Sequence, residues 1–102
     1  SDISIGGRHK IFINKDGAAD NNYDIQVGPN ANINVQVDKG SINLVTKQGK
    51  VNVNAAGDYN VKVGGNYTMT VAGNRSITTE GSTTDNTTGA VTHRGKTIDL
   101  NP

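Results

Sequence analysis

The sequence contains no cysteine and no tryptophan, and only 4% of its 102 residues are aromatic. Without cysteine the chain has neither a disulfide framework nor a thiolate metal site, whichever redox compartment it occupies. Hydrophobic residues make up 32% of the chain, so one copy of this length has little with which to fill a core. We therefore expect the core to be completed by something outside the chain.

A charge excess of one sign is also missing. Lysine and arginine number 10 against 9 aspartates and glutamates, which leaves no electrostatic footprint for nucleic acid. Disordered chains of low hydrophobicity usually carry a high net charge, whereas this chain has a net charge of +1 and many valines, isoleucines and threonines. The composition favours β structure.

Motifs of common catalytic sites are absent from the sequence. There is no Gly-x-Ser-x-Gly, P-loop or His-Glu-x-x-His motif, and Glu80 is the sole glutamate. We expect no enzymatic activity. Because the sequence begins at Ser1 rather than Met, we also expect it to be a piece of a longer protein.

Short segments with apolar residues two positions apart predict β-strands; they are residues 11–13, 23–27, 33–37, 42–45 and 51–53. Turn-forming residues separate these strands, at residues 14–17, 28–30, 38–40 and 47–49.

From residue 49 onward glycine recurs every eight positions, at Gly49, Gly57, Gly65, Gly73, Gly81 and Gly89. If each glycine is position one of an octad, positions five and seven hold the apolar residues Val53, Val61, Val63, Met69, Val71 and Ile77. The two-residue alternation of a strand sends these positions to one buried face and the even positions to water. The glycine marks the place where the strand bends.

An octad provides one strand and one bend, which is too short to complete a coil of a single-chain solenoid. Three identical chains wound about one axis solve this problem, because each octad then supplies one side of a triangular section. The fold class predicted is all-β, an intertwined homotrimeric β-helix or triangular β-prism. Each octad would lengthen the prism by about 4.7–4.9 Å, and few strand edges would stay free.

Residues 57–63, 65–71 and 73–77 closely resemble the Val-x-Gly-Asn octads of intertwined trimeric β-helices. These occur in the central, cell-puncturing spike of contractile phage tails, as in the C-terminal β-helix of T-even spikes, and in the related VgrG-like spikes of type VI secretion. The resemblance is strong over residues 49–97, and residues 98–102 are similar to the short tip of T-even spikes. The resemblance implies that residues 22–48 are irregular, wider repeats of the same β-helix and that residues 1–21 are an N-terminal strand or hairpin segment leading into it.

The resemblance implies a rigid, non-enzymatic needle of a tail baseplate, carried in the virion, that punctures the outer membrane of a Gram-negative host and reaches its periplasm. The implied partners are two further copies of the chain, the host outer membrane and upstream spike or baseplate domains. A tip built by Ile98 and Leu100 leaves an adhesive surface, and a PAAR-type tip protein is the implied cap.

Two polar residues occupy the fifth, inward octad position, Asp85 and His93. Three His93 rings on the axis would offer a metal site, although the His-x-His pair of some phage spikes is absent; the alternative is a neutral histidine bonded to water or to another chain. Three Asp85 carboxylates at one level would repel, which leaves a bound cation, water, or a break in the octad register at residues 82–88. No cofactor is required.

Two other functions fit parts of the pattern. A trimeric fibre or adhesin would use Tyr59 and Tyr67, which share the third octad position, to bind a cell-surface glycan, whereas in a plain needle they pack along the prism corners. An ice-binding solenoid would need a threonine face in every coil, and the threonines at 68, 70, 78 and 79 provide only a weak array.

Overall fold

The computed structural model describes residues 1–13, 17 and 22–101. It divides the chain into two units, Ser1–Val53 and Asn54–Pro102. The predicted segments (residues 1–21, 22–48, 49–97 and 98–102) are not tested by this division and stay predictions; the predicted turn at residues 14–17 lies largely outside the described residues.

The described part of the first unit alternates straight segments with short bends. The backbone bends at residues 6–7 and 13, turns at 29–30, and bends again at 38–40 and 47–49. Asn30 has a φ of 62°, a left-handed conformation that asparagine tolerates better than most residues. Gln36 Nε2 donates a hydrogen bond of 2.9 Å to Asp38 Oδ1 at the start of the bend at 38–40.

Bends in the second unit recur with a constant spacing. They lie at residues 56–57, 64–65, 72–73, 80–81 and 88–89, so that each pair follows the last by eight positions. Further bends lie at Lys96 and Leu100. Between the bends the backbone is neither helical nor turned, as expected for the sides of a repeat eight residues long.

No helix and no hydrogen-bonded strand ladder occurs within residues 1–13, 17 and 22–101. The predicted strands at residues 23–27, 33–37, 42–45 and 51–53 are therefore present as unpaired segments. The physical reason is that no second segment lies close enough to pair, because a strand ladder needs a neighbouring strand. Within either unit no two described residues twelve or more positions apart have Cα atoms within 8 Å of each other. The same described ranges contain no helix that could cross a bilayer.

No residue in the described ranges is buried. Every large hydrophobic side chain there is exposed, including the valines and isoleucines that the sequence pattern assigns to an inner face. Since apolar burial is the dominant favourable term in folding, neither unit acquires the core that its alternating pattern predicts.

Candidate functional site

The repeat glycines lie at the bends of the backbone, which we call corners. Gly49 is the last residue of the corner at 47–49, and the later repeat glycines are the last residues of the two-residue corners in the second unit; these are Gly57, Gly65, Gly73, Gly81 and Gly89. The sequence repeat and the backbone geometry therefore share both period and phase.

These corners do not use the conformational freedom that commonly explains a glycine. Positive φ angles in the described residues occur at Gly17 and Asn30 only, so every repeat glycine has a backbone conformation open to other residues. A Cβ atom built on Gly57 or Gly65 would meet nothing within 4 Å in the chain. If glycine is needed at these corners, the need arises from another molecule that approaches them.

The corner at Gly49 differs from the later corners, because a side chain closes it. The Gly49 amide donates a hydrogen bond of 3.2 Å to Thr46 Oγ1, a local side-chain bond typical of turns. A Cβ atom on Gly49 would lie 3.3 Å from that same oxygen. The first repeat glycine therefore has a reason within the chain, namely close approach to the threonine hydroxyl.

The side chains predicted to be axial are exposed in both units. The seventh-position valines are the most sheltered, with exposed fractions of 44% for Val63 and 45% for Val71, whereas the fifth-position Ile77 is 67% exposed. Complete burial of one such side chain contributes about 1.5–3 kcal/mol. Within the described residues that stabilisation is not realised. We call the five predicted axial residues of the second unit the apolar strip; they are Val61, Val63, Met69, Val71 and Ile77. The sixth, Val53, lies in the first unit and is exposed as well.

Asp85 and His93 continue the fifth position of this strip one octad apart. The residues that the structure describes contain no group of three His, Cys, Asp or Glu side chains that could hold a metal, and they enclose no pocket. A metal or ion at either residue would need copies of the same side chain from other molecules. The axial ion at His93 or Asp85 thus stays a prediction.

One corner was missed by the sequence analysis. The backbone bends at Lys96 although residue 97 is threonine rather than glycine. The nearest glycine is Gly95, where a Cβ atom would lie 3.3 Å from the carbonyl oxygen of Thr97. The signal was available, because counting eight positions from the corner at 88–89 predicts a corner at 96–97 without any glycine.

The tyrosines of the third octad position, Tyr59 and Tyr67, are both exposed. Ile98 and Leu100, the residues predicted to form an adhesive tip, are exposed as well.

Comparison with known proteins identifies one part of the repeat. A protein-family model described as the Gp5 C-terminal repeat matches residues 57–80 in three copies. Three copies over these residues correspond to the octads that begin at Gly57, Gly65 and Gly73. The family is that of the C-terminal β-helix of a phage tail spike, so the resemblance seen in these octads is confirmed. No curated protein and no solved structure matches the chain.

Adjacent glycines in one corner allow a matched test of the glycine requirement. At both Gly64 and Gly65 an added methyl group would meet only open space within the chain, yet only Gly65 is in the repeat register. We expect Gly65→Ala to lower the thermal unfolding temperature, because overpacking against a neighbouring molecule costs about 1–3 kcal/mol per site. Circular dichroism melting of the two variants and the parent measures the difference.

Gly64→Ala is the control, since the eighth octad position already holds alanine at Ala56 and Ala72. We expect that variant to be unchanged or slightly stabilised, by up to about 1 kcal/mol, through the lower entropy of its unfolded chain. Equal effects of the two substitutions would show that the repeat glycines have no special role.

Proposed function

Residues 57–80 match the family model of the Gp5 C-terminal repeat, and on this premise we propose that the chain is a membrane-piercing spike domain of a contractile tail baseplate. It acts as a homotrimer in which three chains form an intertwined β-helix. The observation that carries the proposal is that the family repeat coincides with apolar side chains that no described residue of the chain covers.

The proposal of a trimer is supported by the shortness of the octad, which cannot close a section of a β-helix alone. One octad supplies an unpaired extended segment and a corner. Closing a section around the strip therefore needs sides from other chains, and three sides close the smallest prism. The fifth and seventh positions then meet at the axis and become buried, and each strand gains a hydrogen-bonded neighbour. Closure also removes the free strand edges that would otherwise pair with unrelated chains.

Mechanical stiffness is the activity of such a prism. Hydrogen-bonded strands around a filled axis resist bending, and tail contraction supplies the force that drives the needle through the outer membrane of the host. No bond is made or broken in this process, so we propose that the chain is not an enzyme. The domain would work at the outer membrane and in the periplasm, joined to upstream spike or baseplate domains.

The proposed trimer predicts a mass in solution three times the 10.7 kDa of one chain. Light scattering coupled to size exclusion measures that mass. We expect a single trimeric species, because the apolar strip gains its burial only on association. A stable monomer with a cooperative melting transition would overturn both the trimer and every proposed axial site.

No metal is needed for the proposed function, so we expect protein purified without a histidine tag to have its full thermal stability after chelation. Elemental analysis and melting with and without a chelator measure this, with His93→Asn as the matched variant. Stoichiometric metal in the parent, lost in His93→Asn together with stability, would instead establish the axial metal site. Substituting Asp85 by Asn separates an ion at that level from one at His93.

A glycan-binding fibre is the second candidate function, favoured by the exposure of Tyr59 and Tyr67. The two candidate functions predict different results for a tail particle that carries an altered spike. We expect Val61→Asp to leave particle adsorption to host cells intact and to abolish outer-membrane permeabilisation, because a carboxylate on the axis destabilises the needle.

Tyr59→Ala combined with Tyr67→Ala tests the adhesin directly. Loss of adsorption in that variant, with the trimer preserved, would support glycan binding and contradict the needle. Cell adsorption counts and uptake of a small fluorescent dye measure the two properties in the same particles.

From the resemblance we also propose that a PAAR-type tip protein caps the end of the domain at Ile98 and Leu100. A capping protein would bury the two aliphatic side chains of each chain, which are exposed here.

A further inference from the structure

The distance between successive changes of backbone direction shortens along the chain before it becomes constant. Counted from the turn at 29–30, these changes end at residues 30, 40, 49 and 57, and the spacings between them are ten, nine and eight residues. From residue 57 to residue 89 the spacing stays at eight. The repeats that precede residue 49 therefore differ from the octads in length.

The additional residue of the nine-residue repeat lies in its corner. The corners at 38–40 and 47–49 contain three residues, whereas those from 56–57 to 88–89 contain two. The straight parts of the two kinds of repeat share one pattern, because an asparagine flanked by hydrophobic residues is the third residue after the glycine that ends the corner; these are Asn43, Asn52 and Asn60. Corner length is thus what distinguishes the two kinds of repeat.

Local hydrogen bonds hold the three-residue corners within one chain. Gln36 Nε2 donates to Asp38 Oδ1 at 2.9 Å in the first of them, and the Gly49 amide donates to Thr46 Oγ1 at 3.2 Å in the second. The two-residue corners of the second unit make no hydrogen bond with any described residue. The length of the wide corners is therefore a property of the single chain and is present before another chain binds.

The octads by themselves cannot distinguish this chain from its relatives. A family model matches residues 57–80, so repeats of this kind occur in other chains of the family, and residues 29–49 lie outside the matched residues. A trimer held together by octads alone would accept a foreign chain with the same repeat. Specificity is a difference between the affinities for the right and the wrong partner, so it needs a feature that relatives with plain octads lack.

We propose that residues 29–49, which we call the self-recognition segment, restrict the trimer to copies of this same chain. The partners that fit it are two further chains whose corners are also spaced by ten and nine residues. The inference rests on the proposed function, since it takes three chains to form each section of the prism. It adds to that function the selection of the partner chains.

A chain with eight-residue spacings would not fit against the self-recognition segment. Three sides close a section only if their lengths agree, and a nine-residue side opposite eight-residue sides leaves one residue over. If that residue shifts the strand by one position, the apolar side chains turn to the outer face. If it forms a bulge, the hydrogen-bonded ladder is interrupted. Both distortions occur in a mixed trimer and neither occurs in a trimer of identical chains.

Refolding two forms of the full chain together tests the proposal. Isotopically labelled parent is mixed in denaturant with an unlabelled variant that lacks Lys39 and Gln48, so that both wide corners are reduced to two residues. The mixture is refolded, and native mass spectrometry counts the trimers that contain both chains. We expect at least about tenfold fewer mixed trimers than random mixing gives, a ratio that corresponds to about 1.4 kcal/mol of discrimination. Labelled and unlabelled parent should mix at random.

The double substitution Lys39→Ala, Gln48→Ala is the matched control, because it changes the same two residues and keeps the length of both corners. We expect this variant to mix with the parent at random. If it is excluded as strongly as the deletion variant, the side chains and not the corner lengths select the partner, and the proposal is overturned.

A second variant keeps the test decisive if the deletion variant forms no trimer of its own. One alanine inserted after Ala55 lengthens the repeat that begins at Gly49 to nine residues and leaves the existing wide corners intact. We expect this chain to form trimers with itself and to be excluded from trimers of the parent. Failure of both variants to trimerise alone would show that the segment is required for assembly itself, which contradicts a role in selection.

Two outcomes separate this inference from the proposed function. Random mixing of the parent with either length variant would refute the self-recognition segment and leave the trimeric needle intact. A monomeric parent in light scattering would refute the needle and the inference together.

Discussion

Large hydrophobic side chains throughout the described ranges have no cover within their own unit. A chain that is 32% hydrophobic is not short of apolar residues for an assembly, but its residues sit in segments too short and too regularly bent to fold back on one another. Local geometry is complete in one chain, whereas burial and strand pairing are not. The bends form from local backbone geometry, so they are present in the described residues even though every described side chain is exposed.

The corners illustrate the same division at the level of single residues. At Gly49 the chain itself accounts for the missing side chain, through the hydroxyl of Thr46. At Gly57 and Gly65 the chain leaves free space and an ordinary backbone conformation. A residue type that is repeated in strict register without a reason in its own chain is most simply explained by close packing against a neighbour.

Features that are local and periodic are the ones that a sequence can predict. The backbone bends from residues 47–49 to 88–89 include the repeat glycines, and the turn-forming residues at 28–30 and 38–40 include further bends or turns; the structural role of the glycines stays a prediction. The corner at Lys96 was not predicted from the sequence, because the prediction followed the glycines and not the spacing of eight residues. Local patterns cannot predict strand pairing, the surroundings of Asp85 and His93, or those of Tyr59, because the sequence of one chain does not specify which groups lie opposite these residues.

The corners of the second unit are evenly spaced, so chains that assemble through them could pair in more than one register. If three chains meet, a shift of one chain by a whole octad sets Val61 against Met69 and Met69 against Ile77 and leaves every corner matched, so such a slip costs little over residues 57–80. Register is only weakly specified where neighbouring repeats are alike, and misassembly is a characteristic failure of repeat proteins. The unequal corners before Gly49 and the polar fifth positions at Asp85 and His93 break this equivalence. In a trimer these unequal positions would make one register of the three chains more stable than the registers shifted by an octad.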